Sequence, residues 1–128
     1  MPEEAPLIVI IEDDPAAQNV MSRRLHAAGY RVIAESDGGA GMRRVKAEHP
    51  ALVICDLHMP MAPGELVILG LRLDPATASI PILVVSADPG RLGPEHRVDG
   101  VLEKPVRFSQ LLALVEQLIS ARVTAHSA

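Results

Sequence analysis

The stretch Leu7–Pro15, LIVIIEDDP, decides the fold. Its first five residues are apolar, mostly β-branched and free of polar alternation, which suits a strand covered on both faces. The acids Glu12, Asp13 and Asp14 then end the run abruptly, and Pro15 has the φ angle suited to the first turn of a helix. A strand, an acidic turn and a helix start within nine residues open an α/β unit. Similar apolar runs follow at Arg31–Ala34, Leu52–Cys55, Ile82–Ser86 and Val101–Leu102, each bounded by Pro, Gly or charge.

Segments with helical spacing separate these runs. From Pro15 to about Ala28, the residues Ala16, Val20, Met21 and Leu25 fall on one stripe, and Gly29 ends the segment. Gly38–His49, stopped by Pro50, and Gly64–Leu73 read as helices as well. In the last segment Phe108, Leu111, Leu112, Val115, Leu118 and Ile119 recur at steps of three and four and form an apolar face for packing on a sheet. Pro89–Asp99, with Pro89, Gly90, Gly93 and Pro94, leaves room for one or two turns. Alternating strands and helices predict a doubly wound, five-stranded parallel sheet of order 2-1-3-4-5 with helices on both faces. The expected core is about residues 7–122, with frayed tails before about Pro6 and after about Arg122.

Composition bounds the function. At 128 residues, 48% of them hydrophobic, the chain predicts one domain over residues 1–128 and no fused output domain. Its single cysteine, Cys55, cannot form an internal disulfide, and the opening residues lack the pattern of a secretory signal, so a cytoplasmic location is expected. No apolar run is long enough to span a bilayer. The net charge of −4 argues against nucleic acid as a partner, and with Tyr30 and Phe108 as the only aromatics there is no stacking platform for bases or a flavin.

The polar residues that interrupt the pattern stand at the carboxyl ends of strands: Glu12 and Asp13 after the first, Asp56 after the third, Ser86 ending the fourth and Lys104 after the fifth. In an open α/β sheet that edge binds ligands. Two carboxylates about 4 Å apart repel by roughly 4 kcal/mol at an effective dielectric of 20, so Glu12, Asp13 and Asp56 together need more countercharge than Lys104 supplies. A hard divalent cation with oxygen ligands suits them, and Mg²⁺ commonly completes its shell with water and a phosphate oxygen. The Lys104 ammonium and Ser86 hydroxyl are then available to an anion beside the metal, which is equipment for phosphoryl transfer. Asp56 is the better nucleophile, because the acids of the first strand are needed as ligands. Taken singly, Asp56 reads as a cap or ion-pair partner, Lys104 as a surface lysine and Ser86 as a strand-end hydroxyl; their convergence on one edge sets them apart. Asp14 reads as a helix cap. His26, His49, His96 and His126 show no metal-ligand spacing and read as surface residues.

These pieces, VIIEDDP, ICDLHMP, DPATASIPILVVSA and LEKPV in that order, resemble the receiver domain of two-component response regulators, with the fold of the chemotaxis response regulator, over about Leu7–Arg122. The resemblance implies that Asp56 takes a phosphoryl group from a phosphohistidine on a sensor histidine kinase or phosphotransfer protein. It implies direct Mg²⁺ ligation by Asp13 and Asp56, with the backbone carbonyl of His58 as a further ligand and Glu12 acting through water. Ser86 would move to bond the phosphoryl group, Lys104 would pair with another of its oxygens, and Ala87 would leave access open. A cis bond before Pro105 is implied too. Such a chain promotes phosphorylation and dephosphorylation of itself without turning over a separate substrate. His58 and Asp88 stand where residues of this family influence loss of the phosphoryl group; either they pair over the site as modulators or both are solvated side chains.

Departures from the pattern concern output. Val101 stands where receivers usually carry a switch aromatic, and the gap from Ser86 to Lys104 is several positions shorter than usual, so the fourth helix is expected to be truncated. Pro63 and Arg107 replace usual capping residues. The output expected is contact with a downstream protein. A receiver-like binding module that signals without phosphorylation is the alternative. A flavodoxin-like carrier is disfavoured because the IEDDP loop repels phosphate, and an aspartyl-phosphate phosphatase because its acids would stand two residues apart on the first strand. The Met1–Glu4 start and the end at Ala128 favour a free-standing regulator.

Overall fold

The structure, a computed structural model, describes residues 4–127, with side chains through residue 122. Five strands, β1 (Leu7–Ile11), β2 (Arg31–Glu35), β3 (Leu52–Cys55), β4 (Ile82–Ser86) and β5 (Gly100–Glu103), form one parallel sheet in the order β2-β1-β3-β4-β5. Four helices connect or follow them: α1 (Pro15–Ala27), α2 (Gly38–Glu48), α3 (Gly64–Leu73) and α4 (Phe108–Ser127). The doubly wound architecture expected from the sequence is therefore present, and the truncated helix between β4 and β5 is a 3-10 turn, Pro89–Arg91.

The sheet's two faces divide the apolar residues by parity. Val9, Ile11, Val53, Cys55, Ile82 and Val84 pack with Val45 of α2 and with Val67, Ile68 and Leu71 of α3. Ile8, Ile10, Leu52, Ile54, Leu83 and Val85 pack with Met21 and Leu25 of α1 and with Leu111, Val115 and Ile119 of α4. Continuous apolar strands are thus the consequence of two covered faces. The helix boundaries have local causes. Asp14 caps α1 through Ala17 N–H, as expected, and Asp37 caps α2 through Ala40 N–H. His49 ends α2 in the left-handed region at φ 48°. Pro63 precedes α3 without a side-chain cap.

Several expectations need correction. Ala16 and Val20 fall on the helical stripe of α1 but are exposed, because the helix settles on the sheet through Met21 and Leu25. Chain order begins earlier than Pro6: Ala5 is buried and its carbonyl accepts a hydrogen bond from Arg31 Nε at 2.8 Å. It also extends later than Arg122, since the α4 backbone is helical to Ser127. The expectation for residues 1–3 and 128, and for the His126 side chain, lies outside the described residues. His96 is not a free surface residue: its side chain packs into the β4–β5 connection, and Nδ1 accepts from Gly93 N–H at 2.9 Å. Arg72 holds that connection in place of a helix. Its guanidinium donates to the carbonyls of Arg97, Ala78 and Ile80 and to Asp99 Oδ2, and the same Asp99 oxygen accepts from Ile82 N–H.

Candidate functional site

Strand register builds the site. Ile11 is paired with Cys55, and Asp56 N–H donates to the Ile11 carbonyl at 3.0 Å. The residues just beyond β1 and β3 therefore stand side by side, and a carboxylate oxygen from each of Glu12, Asp13 and Asp56 lies within 4.8 Å of the others. On the other side of β3, Ser86 pairs with Glu103 and Lys104 N–H donates to the Ser86 carbonyl at 2.9 Å, which brings the lysine to the same edge. The bond from Lys104 to Pro105 is cis, as the resemblance implied.

Glu12 and Asp56 are 2% and 6% exposed, so their charges are largely cut off from water. Lys104 Nζ donates to Glu12 Oε1 at 2.6 Å and to Asp56 Oδ2 at 3.3 Å. Burial raises the Glu12 pKa, and the Asp56 charge adds to it, against the bonds from Lys104 and from Asp14 N–H. For Lys104, burial acts to lower the pKa, but the bond to Glu12 and the charges of Glu12 and Asp56 together outweigh it, so the ammonium is held above its ordinary value. One ammonium against the three acids leaves a net negative pocket. The donor set suits a hard divalent cation: all oxygen, two acids buried and prepositioned, and Asp13 partly open to water.

Ser86 is buried, and its Oγ accepts from Asp88 N–H at 3.1 Å. Ala87 and Asp88 are exposed beside it. His58 N–H donates to Asp56 Oδ1 at 3.2 Å, while the exposed His58 ring meets Arg91, its Nδ1 lying 3.3 Å from Arg91 Nη1. A pairing of His58 with Asp88 is thus replaced by one with Arg91, because the 3-10 turn carries the guanidinium over the β3–α3 loop. Val101, on β5, is 41% exposed and presents an aliphatic surface where a switch aromatic was noted as missing.

Three contributors were not foreseen. Gly64 begins α3 against the Asp56 carbonyl, where any Cβ would collide with backbone, and its N–H donates to the Leu57 carbonyl at 3.0 Å. A glycine at a helix start behind Pro63, with no capping side chain, was the available signal. Glu65 and Arg91 form a forked ion pair beside the His58 ring. Their separation in sequence gave no periodic or motif signal.

The family of response regulator receiver domains matches residues 8–116. The DNA-binding dual master transcriptional regulator RpaA of Synechocystis sp. is 36% identical over 119 residues, which cover 89% of this chain and 49% of RpaA. The chain spans about half the length of the first curated relatives it matches. Among solved structures, a response regulator from Chloroflexus aurantiacus superposes with a TM-score of 0.86 at 24% identity, covering 91% of this chain and 99% of that one. The receiver domain of the sensor histidine kinase PA1611 from Pseudomonas aeruginosa, solved with a magnesium ion coordinated in its active site cleft, gives 0.83 at 22% identity, covering 91% and 98%. Among the described residues, no helix is long and apolar enough to cross a membrane. With the strand order, the acid cluster and the family match in agreement, this chain belongs to the response regulator receiver domain family.

Proposed function

We propose that the chain is a phosphoacceptor in a two-component or phosphorelay pathway, with Asp56 as the residue that accepts the phosphoryl group. The observation that carries this reading is the buried Asp56 carboxylate, set beside Glu12 and Asp13 and bonded by Lys104 at the carboxyl edge of the sheet. An Asp56 oxygen forms a bond to phosphorus as the phosphorus–nitrogen bond of a phosphohistidine donor breaks, and the imidazole leaves with a proton from solvent. Mg²⁺, held by Asp13 and Asp56 with the His58 carbonyl and with Glu12 through water, would supply charge neutralisation for the incoming phosphoryl oxygens. Lys104 needs only a small swing from Glu12 and Asp56 to pair with one of those oxygens. Ser86, whose Oγ accepts from Asp88 N–H, would donate its hydroxyl proton to another of those oxygens. Ala87 leaves the approach unobstructed.

The partners proposed are a sensor histidine kinase or phosphotransfer protein upstream, in the cytoplasm, and a downstream protein read by contact. A groove that reaches Lys104, lined by Val20, Met21, Val106 and Phe108, offers apolar surface for such a contact. Incubation with Mg²⁺ and acetyl phosphate or beryllofluoride, followed by intact mass and amide spectra, tests the reading. The expected result is an adduct and a spectral change in the wild type and neither in Asp56→Ala. Absence of both in the wild type would instead support a receiver-like module that signals by contact alone.

A further inference from the structure

Helix α3 is apolar on both of its broad sides. Of its ten residues, Gly64–Leu73, only Glu65 and Arg72 are charged. Val67, Ile68 and Leu71 are buried in the core. On the opposite side Leu66 and Leu73 are 59% and 82% exposed, with Leu69 half-buried between them. A helix that covers one face of a sheet ordinarily turns polar residues outward, and a helix apolar all round ordinarily has a second partner. On the same face of the sheet α2 follows that rule, exposing Arg43, Arg44, Lys46 and Glu48. The steps of three and four from Leu66 to Leu69 to Leu73 are those of the seam between two packed helices. Charge narrows the choice of partner. The charged residues next to these leucines in sequence are each paired within the chain: Glu65 with Arg91 at 2.8 Å, Arg72 with Asp99 at 2.7 Å and Asp74 with Lys46 at 3.4 Å. Three acids against three bases leave a neutral border on a chain whose net charge is −4. A strongly charged partner finds no unpaired charge in these residues. Two copies of the chain, which repel through their net charge, meet without repulsion on this face.

We infer that the outer stripe of α3 is a homodimer face, on which a second copy of this chain lays the same helix antiparallel. Leu69 stands near the middle of the stripe. A two-fold axis beside it sets Leu69 against its own copy and Leu66 against the second copy's Leu73. One stripe then serves both partners, as a two-fold interface requires. The extent of the face sets its strength. Ten helical residues span about 15 Å, so the contact buries less than about 1,200 Å² in total, the range of weak and reversible association. Dimers therefore form with rising concentration and part on dilution. The face is complete without a metal or a phosphoryl group, so the inference stands apart from the phosphoacceptor reading.

Sedimentation velocity of the full chain, without Mg²⁺ or phosphodonor, tests this from about 10 μM to about 1 mM, the span in which a weak dimer assembles. The wild type is expected to move toward twice the monomer mass. Leu66→Glu and Leu73→Lys, both at exposed positions, should each associate at least about tenfold more weakly, with unchanged circular dichroism. Mixed in equal amounts, the two variants should regain the dimer. The introduced carboxylate of one copy then meets the introduced ammonium of the other, and the remaining Leu66 and Leu73 still pair. Val101→Glu, on the edge strand β5, should dimerise as the wild type does. A wild type that stays monomeric at about 1 mM, or a dimer that survives Leu66→Glu, overturns the inference. A mixture of the two variants that stays monomeric overturns the antiparallel arrangement. Amide spectra of the wild type give a reading that needs no variant: shifts on concentration should centre on residues 64–73, and shifts centred on α1 or β5 overturn the α3 face.

Discussion

Gly64 stands so close to the Asp56 carbonyl that a methyl group at its Cα would fall well inside van der Waals contact with that oxygen and with the Leu57 backbone. The start of α3 and Asp56 are thus fitted backbone to backbone. Gly64→Ala must push one of them aside, and nothing at the contact is a flexible side-chain end. The expected result is a destabilisation of about 1–3 kcal/mol, the usual range for overpacking a tight site. Uptake of phosphate from acetyl phosphate should fall as Asp56 shifts. Chemical denaturation beside phosphorylation kinetics checks both.

The acid pocket links metal binding to stability. Mg²⁺ would neutralise Glu12, Asp13 and Asp56 only when the fold has brought them together, so it should stabilise the native state, by about 2.7 kcal/mol at a hundredfold excess over Kd. Thermal melts with and without Mg²⁺ measure this, and EDTA should reverse it. Asp13→Asn is expected to abolish most of the Mg²⁺ effect. Lys104→Met leaves Glu12 and Asp56 without their ammonium. The metal-free protein should lose about 2–3 kcal/mol, with a larger gain on adding Mg²⁺ than the wild type shows.

Cys55 lies at the end of β3 with no exposed surface, one residue before Asp56. Burial first, then the charges of Asp56, Glu12 and Glu65, push its thiol far above the ordinary value. Neither access nor thiolate is available in the native state, so labelling by a thiol reagent should require opening of the sheet. The expected rate at pH 8 is at least about 10³-fold below that of the unfolded chain, matching the global stability. Labelling at the rate of a free thiol would show that β3 opens locally.

The parts legible in the sequence are those in which a residue type breaks a local pattern. LIVII and ILVVS announced strands covered on both sides, and each acid or hydroxyl of the site interrupts such a run at its end. Register then brought together residues already singled out. Periodicity failed where it could not report depth: Ala16 and Val20 share a stripe with Met21 and Leu25, yet only the latter pair is buried. It was also silent on long side chains that join distant segments. The fork from Arg91 to Glu65 and the bonds of Arg72 depend on how two loops are folded, and no spacing encodes them.

Arg72 is the sharpest case, because it substitutes for a missing helix. Its side chain is nearly buried, and its bonds tie α3 to both ends of the connection between β4 and β5: the carbonyls of Ala78 and Ile80 before β4, and Arg97 and Asp99 before β5. A connection whose only regular element is one 3-10 turn has little backbone bonding of its own, so these bonds set its position. Arg72→Ala would leave the part-buried acceptors Ala78 and Ile80 without this donor and Asp99 Oδ2 with Ile82 N–H alone, a loss of about 1–3 kcal/mol. Hydrogen exchange should rise most over residues 92–99 and spread into β5, while β1 and β3 keep their protection. Arg72→Lys supplies one donor group in place of the planar fork and should recover only part of the loss. Uniform loss of protection across the whole sheet would mean that the connection is held by the core and not by Arg72.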